Sequence, residues 1–354
     1  MSSRIIYVLG GPINSFLETE KRRGQHPRSE FNVFADRNDA RLVSTDQVTG
    51  GHALSLRRRI ALALYLVGIA PAFDVAVTSG EDIGILLALA LHLRRRPIPV
   101  HIILHGSYLQ GRKFALVKPF LRRARHVRFL CLSESLRRMM VDVHGFPENR
   151  CYNAGYGVDT EFFGAETVEA DKTGEAARIV AAGSANRDYS TLIAAATGLG
   201  VSVQIAADSL WRPKDPGLEQ AAVPDGVTVR SAGSYSGLRL LYAHSSVVVV
   251  PLYQAHYASG YAVIAEAMAM GKVVVTTRTE AASDLVVDNE TGFYVEPGDI
   301  DGLRDKLRLL LGQPGLAREM GARAAARMRE HFSLEAYCQR IESIIAGQLP
   351  QPVP

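Results

Sequence analysis

The sequence predicts an α/β protein of two doubly wound domains, and three observations carry that prediction. Its 354 residues exceed one typical core and suit two. Short β-branched runs alternate with longer helical patterns in both halves, as in parallel sheets assembled from βαβ units. Between the halves, after Phe163, the stretch GAETVEADKTGEAAR is small, polar and charged, which reads as a linker. The expected division is residues 1–165 and 170–332, with a closing helix over about 333–354 completing the first domain.

In the first series, strands are expected at Arg4–Leu9, Phe31–Phe34, Asp74–Thr78, Val100–Leu104, Val127–Cys131 and Arg150–Asn153. The second series comprises Arg178–Ala182, Val201–Ala206, Val227–Arg230, Val247–Pro251 and Lys272–Thr276. Helical pattern dominates from Ile300 to Ala346, and the tail QLPQPVP is too rich in proline for regular structure.

Composition removes several function classes. An apolar fraction of 47% with 21% charged residues is that of a globular protein. Cys131, Cys151 and Cys338 show neither disulfide-framework nor metal-ligand spacing, so a reducing cytosol is expected, with no metal or other cofactor. The start MSSRIIYVLGG lacks the pattern of a signal peptide, and the longest apolar stretches, Ile60–Phe73 and Ile83–Leu93, fall short of the roughly 20 residues that span a bilayer.

Charge is divided unevenly. Residues 1–160 hold 23 Lys and Arg against 13 Asp and Glu, while the remainder holds 17 against 23. Arginine clusters at 57–59, 94–96, 122–125 and 137–138 give the first half a basic surface. Such a surface suits an anionic or lipid-linked acceptor, or peripheral contact with the inner membrane surface. Nucleic acid is not an expected partner, because no aromatic-studded basic strand or recognition helix accompanies the arginines.

Ligands of open parallel sheets bind beyond the carboxyl ends of the strands, which directs attention to the residues there. Gly10-Gly11 follows the first strand, where glycine permits close backbone approach, although such a pair is also ordinary turn punctuation. Ser79-Gly80-Glu81-Asp82 reads as a helix cap with acids at the positive end. His105-Gly106 ends the fourth strand, facing the cleft. In the second half, Val247–Leu252 reads as a buried strand leading through His256-Tyr257-Ala258-Ser259-Gly260 into a helix from Tyr261. The Ser259-Gly260 turn leaves the first amides of that helix, those of Tyr261 and Ala262 among them, free for a diphosphate. Glu266 sits deeper in the same helix among apolar and small residues, where a carboxylate requires hydrogen-bond donors such as ribose hydroxyls.

At these residues the chain resembles the family-4 retaining glycosyltransferases of the GT-B fold, in which two Rossmann-like domains face each other across a cleft. Pro251, Glu266-Ala267-Met268-Ala269-Met270-Gly271-Lys272, Thr277-Arg278, Asn289-Glu290-Thr291-Gly292 and Pro297-Gly298-Asp299 match in order. Gly157-Val158-Asp159-Thr160 with Phe163, and Phe332-Ser333-Leu334-Glu335, extend the likeness, which is thin from Pro12 to Ala70. The resemblance implies nucleotide-sugar-dependent transfer with retention of configuration. It assigns the donor ribose to Glu266, the diphosphate to the amides of Ser259, Gly260, Tyr261 and Ala262, and the leaving-group charge to Arg187, with Ser184 where the family has a second cation. His105 would stand near the transferred sugar and Gly10-Gly11 beneath the diphosphate. One departure is plain: the family's other glutamate, eight residues before Glu266, is Ala258 here. Two further readings are a GT-B nucleotide-sugar 2-epimerase and a non-catalytic sugar-binding partner subunit.

Overall fold

A computed structural model describes residues 4–13, 15–49, 55–92, 97–164, 179–207, 224–350 and 353. The interdomain stretch expected to be a linker lies outside the described residues beyond Gly164, as does the arginine cluster at 94–96.

The first half contains β1 (Ile5–Leu9), α1 (Ser15–Arg22), α2 (Glu30–Asn38), β2 (Arg41–Ser44), α3 (Thr45–Thr49), α4 (Leu56–Ile69), β3 (Val75–Thr78) and α5 (Glu81–His92). It continues with β4 (Val100–Leu104), α6 (Arg112–Arg123), β5 (Val127–Cys131), α7 (Glu134–Arg138) and β6 (Cys151–Asn153). Its six strands are all parallel, in the order β2-β1-β3-β4-β5-β6. The second half contains β7 (Ile179–Ala182), α8 (Tyr189–Ala196), β8 (Val203–Ala206), β9 (Val227–Val229), α9 (Tyr235–Ala243), β10 (Val247–Val250), α10 (Tyr261–Ala269), β11 (Val274–Thr277) and β12 (Gly292–Val295). These strands are again parallel, in the order β12-β11-β10-β7-β8-β9. Helices α11 (Ile300–Gly312), α12 (Pro314–His331) and α13 (Leu334–Ile345) follow.

Continuous apolar runs such as IIYVL and VVVV form the central strands because helices cover both faces of a parallel sheet, and both runs are wholly buried. His101 in β4 shares that environment, and burial with the nearby Arg128 pushes its imidazole down to about 3. All three cysteines are buried free thiols. No helix among the described residues is long and apolar enough to cross a membrane.

One local expectation is corrected. Phe31–Phe34 is not a strand but part of α2, in which Phe31 and Phe34 share one face and pack against Tyr7 at ring separations of 6.5 and 5.6 Å. Ser29 before the acidic first turn at Glu30 is the helix-start signal that outweighs the aromatic strand propensity. The strand falls instead at Arg41–Ser44, an edge strand whose exposed first residue hides it from a search for apolar runs. β12, the edge of the second sheet, is likewise an addition to the sequence reading.

The chain's last helix returns to the first sheet. Val158 pairs with Ser333, its amide donating to the Phe332 carbonyl at 2.8 Å. Glu342 of α13 accepts from Arg37 and Asn38 of α2, and Arg340 donates to the Ala154 carbonyl at 2.6 Å.

Candidate active site

The residues that carry chemistry gather at the carboxyl ends of the second sheet's strands. After β7 the chain turns at Gly183, whose φ of +90° belongs to the left-handed region, and Arg187 folds back beneath that turn. Its Nε donates to the Ala182 carbonyl at 2.9 Å and Nη1 to that of Ala185 at 2.7 Å. A Cβ on residue 183 would stand 2.6 Å from Nη2, so glycine is what lets the guanidinium lie there. Arg187 is buried and not paired with its neighbour Asp188, which caps α8 by accepting from the Thr191 amide at 3.1 Å. Burial lowers its pKa, opposed by Glu266 and nearby tyrosines; arginine remains a cation there.

Beyond β10 the chain reaches Gly260, at φ +79°, and enters α10. A Cβ at 260 would approach Val250 Cγ1 to 2.9 Å, so the turn is closed to other residues on conformation and on space. The first rung of the helix runs from the Ile264 amide to the Gly260 carbonyl at 3.0 Å, which leaves the Tyr261, Ala262 and Val263 amides ahead of the ladder. The Tyr261 side chain points away, donating to the Ala281 carbonyl at 2.7 Å and touching Ser133 Oγ of the first half at 2.9 Å.

Further along the same helix, Glu266 is buried and accepts from Tyr242 Oη at 3.1 Å. Burial pushes its carboxyl up to about 8, against the downward pull of Tyr242 and Arg187. Ser184 Oγ and Ser259 Oγ are buried with no hydrogen-bond partner, which calls for ligand or water. Gly183, Ser184, Arg187, Ala262 and Glu266 line one cavity of ≈ 270 Å³. Its opposite wall, Ser231–Tyr235, follows β9 and was missed in the sequence; the rule pointing beyond strand carboxyl ends would have found it.

A second cavity of ≈ 400 Å³ shares Tyr235, Ala262 and Glu266 with the first and opens onto the first half. Its two cations have carboxylate partners: Lys21 Nζ lies 2.5 Å from Glu18 and Arg28 lies 2.8 Å from Asp159. His26 packs edge-on against Tyr235 at 4.4 Å, with Nδ1 against the Pro27 carbonyl and Nε2 buried without a partner. A larger groove of ≈ 840 Å³ beside β6 and the C-terminal tail lies away from these residues. No cluster of three or more His, Cys, Asp or Glu suited to a metal ion occurs among the described residues.

Two family models cover the two halves. "Glycosyltransferase Family 4" matches residues 21–162 and "Glycosyl transferases group 1" residues 192–313. The chain belongs to the family-4-like glycosyltransferases of the GT-B fold. The capsular polysaccharide biosynthesis glycosyltransferase CapM of Staphylococcus aureus is 31% identical over 103 residues, 29% of this chain and 26% of CapM. The chain thus spans about a quarter of the length of that curated relative. A glycosyltransferase from Rickettsia africae superposes with a TM-score of 0.72 at 15% identity, over 98% of this chain and 99% of the other. Anabaena HepE, solved in complex with UDP and glucose, gives 0.69 at 16% identity over 97% and 99%.

Against this family pattern the sites expected in the first half are placed differently from those in the second. His105 is exposed; its amide donates to Glu81 at 2.9 Å, its Nε2 lies 3.0 Å from the Ser79 carbonyl, and its own carbonyl accepts from the Ala258 amide at 2.8 Å. It stands at the junction between the halves, outside both cavities. Gly10 donates to Ser79 Oγ at 3.3 Å, and with Gly11 it precedes Pro12 and Ile13 of the second cavity. Glu81, read as a helix-end acid, is buried and also binds Ser107 Oγ at 2.9 Å, so it fixes the loop that carries His105. Two residues before Ala258, His256 pairs with Glu280.

Proposed function

We propose that the chain transfers a sugar, with retention of configuration, from a nucleoside diphosphate sugar to an acceptor hydroxyl. The observation that carries this reading is the convergence on one cavity of the buried Glu266 carboxyl, the buried Arg187 guanidinium, the unpartnered Ser184 hydroxyl and the start of α10. A ribose supplies the donors that Glu266 lacks; a diphosphate supplies charge to Arg187 and acceptors to the Tyr261 and Ala262 amides and to Ser184 and Ser259. HepE, with UDP and glucose bound, is a neighbour in fold.

In the proposed mechanism the nucleoside diphosphate departs through an oxocarbenium-like state. Arg187, fixed by two carbonyls, and the helix amides meet the charge that grows on the leaving phosphate without having to reorganise. The acceptor hydroxyl attacks from the face the leaving group vacates, and a phosphate oxygen takes its proton. No metal ion or other cofactor is required in this scheme. His105 and Gly10-Gly11 approach the donor from the first half. The second cavity receives the acceptor: its cations already have carboxylate partners, so it suits a neutral hydroxyl-bearing group, oriented by the free Nε2 of His26. The reaction takes place in the cytoplasm.

The test is a thermal-shift comparison of nucleoside diphosphates with the corresponding monophosphates on the wild type and Glu266→Ala. A diphosphate should raise the melting temperature of the wild type and have much less effect on the variant. Failure of every nucleoside diphosphate to stabilise the wild type would overturn the reading.

A further inference from the structure

We propose that the face of the first half built from α4 and α6 docks on an anionic lipid bilayer. This inference stands on surface chemistry alone and does not depend on the transfer reaction.

Residues 56, 60 and 64 lie four apart and so share one line along α4; there Leu56 is 57% exposed, Ile60 42% and Leu64 63%. The residues exposed beside them are Arg57, Ala61, Tyr65 and Gly68, while Leu62, Ala63 and Leu66 fill the core on the other side. The helix is therefore apolar toward solvent as well as toward the sheet, which an ordinary surface helix is not. On α6, Leu116 is 81% exposed, with Phe114 and Leu121 turned inward. Helix α5 packs against both, so the three lie side by side on one face of the sheet.

Charge selects the occupant. Neither α4 nor α6 contains an Asp or Glu. Arg59 is taken by Asp82 at 2.8 Å, but no ion pair holds Arg57, Arg112, Lys113, Arg122 or Arg123 among the described residues. Exposed leucines ringed by unneutralised cations fit a surface that is apolar beneath and negative above, as an acidic bilayer is. A second copy of the same face would bring five cations against five, which disfavours a symmetric dimer.

The proposal is tested by co-sedimentation of the full chain with phosphatidylcholine vesicles, with and without about one third phosphatidylglycerol. The wild type should bind the anionic vesicles alone, and less as salt rises. The pairs Leu64→Glu with Leu116→Glu, and Arg122→Glu with Arg123→Glu, should each weaken binding at least about tenfold. Arg308→Glu, on the second half, should bind as the wild type does. Melting temperature and the nucleotide thermal shift report whether folding and the cleft survive; if the glutamate pair unfolds the chain, serine at the same two positions replaces it. The proposal is overturned if the wild type ignores anionic vesicles, binds neutral ones equally, or keeps its binding in both pairs. It is equally overturned if light scattering finds a dimer that Leu64→Glu dissociates.

Discussion

Glu266 places a carboxyl in a site that holds it largely neutral, and this has two measurable consequences. Loss of its hydrogen bonds in Glu266→Ala should weaken nucleoside diphosphate binding by about 1 to 3 kcal/mol, read by calorimetry. Unchanged affinity would remove it from the site. The second consequence concerns pH. The folded-state value of about 8 lies above the ordinary 4.5, so burial favours the protonated form. Its contribution to stability is complete below the unfolded value and is lost as pH rises through about 8. The free protein should accordingly melt lower at pH 9 than at pH 6 by a margin that Glu266→Gln reduces. If ribose hydroxyls donate to the carboxylate, binding near neutral pH should also release a proton, seen as a buffer-dependent heat that Glu266→Gln diminishes. That Glu266 would be special was legible in the sequence as an isolated acid in an apolar helix. Its partner Tyr242, on α9, was not, because nothing local links residues 242 and 266.

The turn entering α10 depends on glycine. Gly260→Ala would force a left-handed conformation costing about 1 to 2 kcal/mol and press a methyl group on Val250. It should lower both stability and diphosphate affinity, whereas Gly298→Ala, also left-handed but with open space around it, should lower stability alone. Strand and helix identities were readable where patterns are continuous, as in VVVV of β10 and the helical stretch from Ile300. They failed at α2, where two aromatics imitate a strand, and at β2 and β12, edge strands with incomplete burial. The acid pair at Glu81 and Asp82 illustrates a further limit. A helix-end reading was reasonable locally, yet Glu81 holds the loop of His105 and Asp82 binds Arg59, contacts that only the sheet brings together.

At the scale of the molecule, we propose that residues 1–165 together with about 333–354, and residues 170–332, are the two folding units. Helix α13 buries Leu334, Tyr337, Cys338, Ile341 and Ile344, each worth about 1.5 to 3 kcal/mol, which rivals the 5 to 15 kcal/mol that holds a domain together. A chain ending at residue 332 should therefore fail to fold its first half, with loss of the corresponding melting transition. Between the units, Ala258 meets His105, Tyr261 meets Ser133 and His26 meets Tyr235, so a ligand bound at α10 lies against residues of both. The acceptor and the sugar were beyond reach of the sequence because they depend on how these surfaces face each other. The most direct measurement is release of nucleoside diphosphate from a panel of nucleotide sugars by the wild type and by Arg187→Ala. At least one donor should be turned over, and Arg187→Ala should lower that turnover more than donor affinity, since leaving-group charge grows toward the transition state. No release from any donor, or equal release by the two proteins, would contradict the assignment.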